Sequence, residues 1–139
     1  MPSYSDRSTI RLESCHEDLQ LVFNEVIKFY DVTILYGHRS AREQFELFKK
    51  GRRQANGVWV IGNKSEIVTY RDGTTKPSKH QKIPSVAIDI IPYPFDNDWY
   101  GAEFHYMAGV VLRIADELGI GLRWGGRWTW KDRPHFELT

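Results

Sequence analysis

Three residues are of types that bind metals well, and one of them stands where a chain seldom places it without a use. Asp89 lies inside the apolar run Ala87-Ile88-Asp89-Ile90-Ile91, and a carboxylate in a buried strand is costly unless it is paired or bound to a cation. His80 stands nine residues earlier in Ser78-Lys79-His80, and His135 follows in Asp132-Arg133-Pro134-His135-Phe136. Two imidazoles and a carboxylate leave one position open on a tetrahedral ion, a standard set for catalytic zinc. Non-haem iron oxygenases use the same ligand types, commonly with His and Asp two apart, whereas His80 and Asp89 are nine apart. Asp132, three residues before His135, is near enough to serve as general base toward a water on an ion that His135 holds. Zinc brings the pKa of such a water toward neutrality and polarises a peptide carbonyl, while a carboxylate relays the proton to the leaving amine. The planar fork of Arg39 suits an oxyanion or a substrate carboxylate.

Taken singly, each residue has a plainer reading. A lone histidine is more often a core or surface residue than a ligand. Asp132, close before a proline, suits a turn, and Arg39 suits a helix end or the surface. His16, His38 and His105 fall outside the arrangement and are given no catalytic part.

The elements that must position these residues are legible as patterns. Ser14 with Glu17 has the form of a capping box, and Leu19, Val22, Phe23, Val26 and Phe29 recur at helical spacing, which predicts a helix ending near Tyr30. Val32 to Tyr36 reads as a buried strand stopped by Gly37. Ser40 with Glu43 repeats the capping box, Phe45, Leu47 and Phe48 supply an apolar face, and Gly51 follows as a C-terminal stop, placing Arg39 at a strand-to-helix junction. From 54 to 84 the composition turns to Gly, Asn, Lys, Thr and Pro, which reads as a long active-site flap with strand-like pieces at Val58 to Ile61 and at 66–70. A strand over 86–91, an amphipathic helix over 101–118 closed by Gly119, and short strands at Leu122 to Trp124 and His135 to Leu138 complete the chain. Gly125, Gly126 and Trp128 are expected to turn between those last strands. This order fits an α+β domain with a single core rather than repeated βαβ units.

Composition narrows the function further. The 139 residues, 41% hydrophobic, suit one domain spanning 1–139. Nineteen basic against eighteen acidic residues, a net charge of +1, argue against a dedicated nucleic-acid binder. The local basic groups Lys49, Lys50, Arg52 and Arg53, and Lys76, Lys79 and Lys82, read as solvated surface. The single Cys15 excludes an intramolecular disulfide and a multi-cysteine zinc site; it is expected in the first turn of a helix. Residues 1–11 have no apolar secretory core, and no segment approaches membrane-spanning length. The expectation is synthesis in the cytoplasm, no stable membrane association and a monomer.

The joint pattern resembles the D-alanyl-D-alanine carboxypeptidase (VanY-like) family of zinc peptidases, and in particular phage endolysins that act as L-alanyl-D-glutamate endopeptidases. The matching stretches are Tyr36-Gly37-His38-Arg39-Ser40 with Gln44, Ser78-Lys79-His80 running to Ala87-Ile88-Asp89, Trp124-Gly125-Gly126, and Asp132-Arg133-Pro134-His135-Phe136-Glu137-Leu138. They span about 32–139. The resemblance implies one Zn2+ per chain on His80, Asp89 and His135, with Asp132 as base and Arg39 on the substrate or oxyanion. Gln44, Ser78 and Trp124 are the further substrate contacts expected within these stretches. It also implies a small α+β fold with a central antiparallel sheet and flanking helices, of the hedgehog and D-Ala-D-Ala-peptidase kind. The chain departs from many members in a nine-residue rather than seven-residue gap from His to Asp, in Ser85 where a glycine is usual, and in Asp rather than Glu as base. Being one methylene shorter, Asp132 must sit nearer the metal. The implied substrate is the peptidoglycan stem peptide, reached from the host cytoplasm after release by a holin. A D,D-carboxypeptidase or dipeptidase acting on wall precursors, and a non-catalytic wall-binding module, are the competing readings. Whether a second ion such as Ca2+ orders the flap is left open by the sequence.

Overall fold

In the computed structural model, residues 2–139 are described; Met1, the start of the expected domain and of the 1–11 segment, lies outside the described residues. The chain opens on a helix the periodicity does not announce, α1 (Asp6–Glu13), capped by Ser5, whose side chain accepts from the Ser8 amide at 3.1 Å. It is tied to the strand β1 (Val32–Tyr36) by polar bonds: Ser8 Oγ accepts from the Ile34 amide at 3.1 Å, and the Arg11 guanidinium donates to the Ile34 carbonyl at 2.9 Å. A helix held by hydrogen bonds to a sheet edge needs only a narrow apolar stripe. It also covers an edge that would otherwise be open to pairing.

The next helix, α2 (Glu17–Val26), begins at His16, whose Nδ1 accepts from the Asp18 amide at 3.0 Å. Ser14 is therefore not the cap expected of it. Ser14 ends α1 instead, donating to the Arg11 carbonyl at 2.6 Å and accepting from the His38 amide at 2.9 Å. Cys15 accordingly sits between the two helices rather than inside one, and α2 ends at Val26, short of Tyr30. The expected capping box at Ser40 and Glu43 is present at the start of α3 (Ala41–Lys49), and Gly51 follows at φ 78°.

The segment 54–84 holds more order than its composition suggests. β2 (Arg52–Ala55) and β3 (Val58–Ile61) form a hairpin around Asn56 and Gly57, at φ 52° and 78°, the left-handed pair that a two-residue hairpin turn requires. Residues 66–70, expected as a strand, are not one: a 3-10 turn (Lys64–Glu66) precedes an irregular stretch, and only Ile67 there is buried. A second 3-10 turn (Lys79–Gln81) carries His80. Then come β4 (Ala87–Pro92), α4 (Ala102–Leu118) closed by Gly119 at φ 70°, β5 (Leu122–Trp124), a 3-10 turn (Gly125–Arg127) and β6 (His135–Leu138).

The central sheet is antiparallel throughout, in the order β1-β4-β6-β5. Ile88 pairs with Phe136, and Ile34 with Ile90; all four side chains are fully buried together with Leu19, Val22 and Phe23 of α2 and Phe104, Met107 and Val111 of α4. Phe23 meets Phe136 edge-on at 6.1 Å between ring centres. Each fully buried large apolar side chain contributes about 1.5–3 kcal/mol, so this helix-covered face anchors the sheet. Because side chains alternate across a strand, Ala87, Asp89, His135 and Glu137 must point to the opposite face.

Candidate active site

Register places the chemistry. Asp89 on β4 and His135 on β6 are direct cross-strand partners, so neighbouring strands bring a carboxylate and an imidazole together. On the other side, a bulge at Leu35 leaves Tyr36 opposite Asp89. His80 arrives from its 3-10 turn and is pinned twice: its ring Nδ1–H donates to the Gly37 carbonyl at 2.8 Å, and its own carbonyl accepts from the Arg39 amide at 2.9 Å. With Nδ1 occupied by a carbonyl, the lone pair of His80 lies on Nε2. That atom is buried, has no hydrogen-bond partner and stands 3.3 Å from Asp89 Oδ1. One ligand atom from each of His80, Asp89 and His135 lies within 4.8 Å of the others. An unpartnered buried nitrogen facing a second imidazole and a carboxylate suits a bound cation, and the donor set suits zinc.

The carboxylate between the rings is itself held. Arg39, 6% exposed, donates from Nη2 to Asp89 Oδ2 at 2.6 Å and from Nη1 to Gln44 Oε1 at 2.8 Å, while its guanidinium lies 4.3 Å over the Tyr36 ring. Asp89 thus presents Oδ1 to the histidines and Oδ2 to the arginine. Burial works against its charge, but the neighbouring His80 and His135 hold its carboxyl well below the usual carboxylate range. His135 is flanked by carboxylates: Nδ1 stands 3.1 Å from Asp89 Oδ1 and 3.9 Å from Asp132 Oδ2, and Nε2 is 2.9 Å from Glu137 Oε1. Burial disfavours a charged ring there, yet Asp89 and Glu137 outweigh it and raise His135 to about 9.

Asp132 is the remaining carboxylate of the cluster. Its amide donates to the Gly125 carbonyl at 2.9 Å and its carbonyl accepts from the His135 amide at 3.2 Å, so a tight turn fixes it beside His135. Glycine is required at 125, because a Cβ there would strike the Asp132 carbonyl and lie 3.0 Å from Asp132 Cβ and 3.2 Å from His135 Cβ. Burial first, and the charge of Asp89 second, raise the Asp132 carboxyl to about 6. A carboxyl raised in this way has the property general acid–base chemistry asks for.

Each of the further residues expected to touch substrate has partners within the fold. Gln44 is wholly buried, accepting from Arg39 and donating to Thr69 Oγ1 at 3.2 Å and to the Arg71 carbonyl at 2.9 Å; it joins the site to the flap. Ser78 caps the His80 turn, its hydroxyl accepting from the His80 amide at 3.2 Å. Trp124 is 7% exposed, stacks on Phe136 and donates to the Arg133 carbonyl at 2.6 Å. Spacing alone assigns Glu137 no role, although its position two residues after His135 in a strand puts it on the same face.

A small α+β domain with a His-Asp-His cluster and a further carboxylate, Asp132, beside it has the layout of a metallohydrolase. The family of phage L-alanyl-D-glutamate peptidases matches residues 2–138, and the chain belongs to that family. It is 32% identical over 118 residues to the peptidoglycan L-alanyl-D-glutamate endopeptidase CwlK of Bacillus subtilis, covering 80% of this chain and 62% of that protein's length. Its fold is similar to the crystal structure of the L-Ala D-Glu endopeptidase ChiX of Serratia marcescens, with a TM-score of 0.70, 28% identity and coverage of 98% of this chain and 89% of that one. Among the described residues, no helix is long and apolar enough to cross a membrane.

Proposed function

We propose that this protein is a zinc-dependent endopeptidase that hydrolyses the L-Ala–D-Glu bond of peptidoglycan stem peptides. The observation that carries this is the meeting of His80, Asp89 and His135 within 4.8 Å with Asp132 beside His135. Membership of the peptidase family and the printed activities of CwlK and ChiX support the scissile bond. His80 Nε2, Asp89 Oδ1 and His135 Nδ1 would hold the ion, which when bound polarises the peptide carbonyl and acidifies a water molecule. Asp132 would accept a proton from the attacking water and return it to the departing D-Glu nitrogen, so that the C–N bond breaks with the amine leaving neutral. Arg39 fixes the carboxylate of Asp89 through Nη2 and supplies a fixed positive charge beside the site. In a phage setting the enzyme would act on the host wall after release by a holin, as a monomer.

Digestion of purified peptidoglycan tests the assignment. New N-terminal D-Glu that disappears on chelation, returns with Zn2+ and is absent with Asp132→Ala is the expected result. Release of free D-Ala instead would make the protein a carboxypeptidase, and metal binding without any cleavage would make it a binding module.

A further inference from the structure

Glu137 lies on the metal-facing side of β6 with both carboxylate oxygens occupied. Oε1 accepts from His135 Nε2 at 2.9 Å, while Oε2 is 2.8 Å from Lys79 Nζ and 3.3 Å from Arg123 Nε. The residue is 6% exposed, in a register opposite Ala87 on one side and Arg123 on the other, so its rotamer has little freedom. Lys79 immediately precedes His80 on the same 3-10 turn. A single carboxylate therefore touches the ring of one candidate ligand and is salt-bridged to the neighbour of another.

We propose that Glu137 is the positioning residue of the metal centre: it fixes the His135 ring so that Nδ1 faces the ion, and through Lys79 it locks the His80 turn against β6. The proposal rests on the metal-site reading above. In the neutral imidazole one nitrogen carries the proton and the other the lone pair. A carboxylate acceptor at Nε2 selects the tautomer whose Nδ1 is free to ligate, and it makes that nitrogen a better donor. His80 obtains the complementary arrangement from the Gly37 carbonyl at its Nδ1, so the two rings present opposite nitrogens to one point. The Lys79–Glu137 bridge adds a side-chain tie between the turn and the strand that carry the two imidazoles.

The test is the affinity of the purified chain for Zn2+, measured by competition with a chromogenic chelator, for wild type, Glu137→Ala, Glu137→Gln and Lys79→Met. Loss of such a partner lowers metal affinity roughly 10- to 100-fold, and that loss is expected for Glu137→Ala. Glu137→Gln, whose amide oxygen still accepts from Nε2–H, should return most of it, and Lys79→Met should show a smaller loss in the same direction. The Co2+-substituted protein adds a spectroscopic reading, its visible absorption changing in Glu137→Ala and matching wild type in Glu137→Gln. Wild-type affinity in Glu137→Ala, or a Glu137→Gln variant no better than Glu137→Ala, overturns the proposal while leaving the metal site standing. A wild-type chain that does not bind Zn2+ overturns both.

Discussion

Replacing Gln44 by alanine tests whether the flap and the site form one connected structure. The wild-type side chain is wholly buried and links three partners: the Arg39 guanidinium at 2.8 Å, Thr69 Oγ1 at 3.2 Å and the Arg71 carbonyl at 2.9 Å. A hydrogen bond from a charged donor contributes about 1.5–3 kcal/mol and a neutral one about 1 kcal/mol, and a buried group left unpaired adds its desolvation cost. Summed over these partners, Gln44→Ala should lower stability by about 3.5–5 kcal/mol before any desolvation cost. For a domain of this size that is a fall in melting temperature of roughly 12–17 °C. The loss should also be local: amide exchange over residues 66–73 should accelerate under conditions where β4 and β6 stay protected. Gln44→Leu, which restores volume without the bonds, should recover only part of the stability and none of the flap protection. Denaturant unfolding followed by exchange mass spectrometry reads both quantities. Stability within 1 kcal/mol of wild type, with flap exchange unchanged, would refute the coupling of flap to Arg39.

Asp132→Asn should abolish cleavage, because the amide cannot take a proton, yet it should stabilise the fold. The folded-state carboxyl is raised to about 6 from 3.8, so its ionisation disfavours the native state. That penalty is absent below about pH 4, grows as pH rises and is complete above about pH 6, where it amounts to roughly 3 kcal/mol; urea unfolding of chelated wild type and variant across this range checks the sign. Gly125→Ala should displace Asp132 and lower kcat/KM by at least tenfold at a stability cost of about 1–3 kcal/mol, measured by stem-peptide hydrolysis and thermal unfolding. Cys15 is buried, and that burial pushes its thiol up to about 12. A disulfide dye at pH 8 should therefore react with it only slowly in the native protein and at once in denaturant.

Much of this architecture is legible in the chain because local and global signals agree. β1 is a β-branched apolar run ended by Gly37, and α3 carries a real capping box. Asp89 stands out because a charge in an apolar strand demands a partner. The misses have specific causes. α1 escapes notice because hydrogen bonds to β1, rather than a wide apolar stripe, dock it. Its C-terminal Ser14 therefore imitates the cap of the following helix. β2 is written Arg-Arg-Gln-Ala, a poor strand by composition, and it is the Asn56-Gly57 turn that reveals it. The grip of Arg39 on Asp89 and of Glu137 on His135 depends on which oxygen faces which neighbour, a matter of register that spacing along the chain does not encode.

The anchoring of residues 80–86 bears on how such proteins are compared. His80 is fastened through Gly37 and Arg39, and Ser85 is fastened by two backbone bonds, its amide to the Ser14 carbonyl at 3.0 Å and its carbonyl to the His16 amide at 2.8 Å. Between these clamps the chain bows outward, with Ile83 86% exposed. Length added or removed in that bow should leave both ends, and hence His80 and Asp89, in place. On this geometry the nine-residue spacing puts its extra length in the exposed bow rather than at the ligands. A search pattern for distant kin gains reach by letting this interval vary while keeping His80 and Asp89 fixed. The same bow is a place where a short tag or a fluorophore could be spliced in without disturbing the cluster behind it.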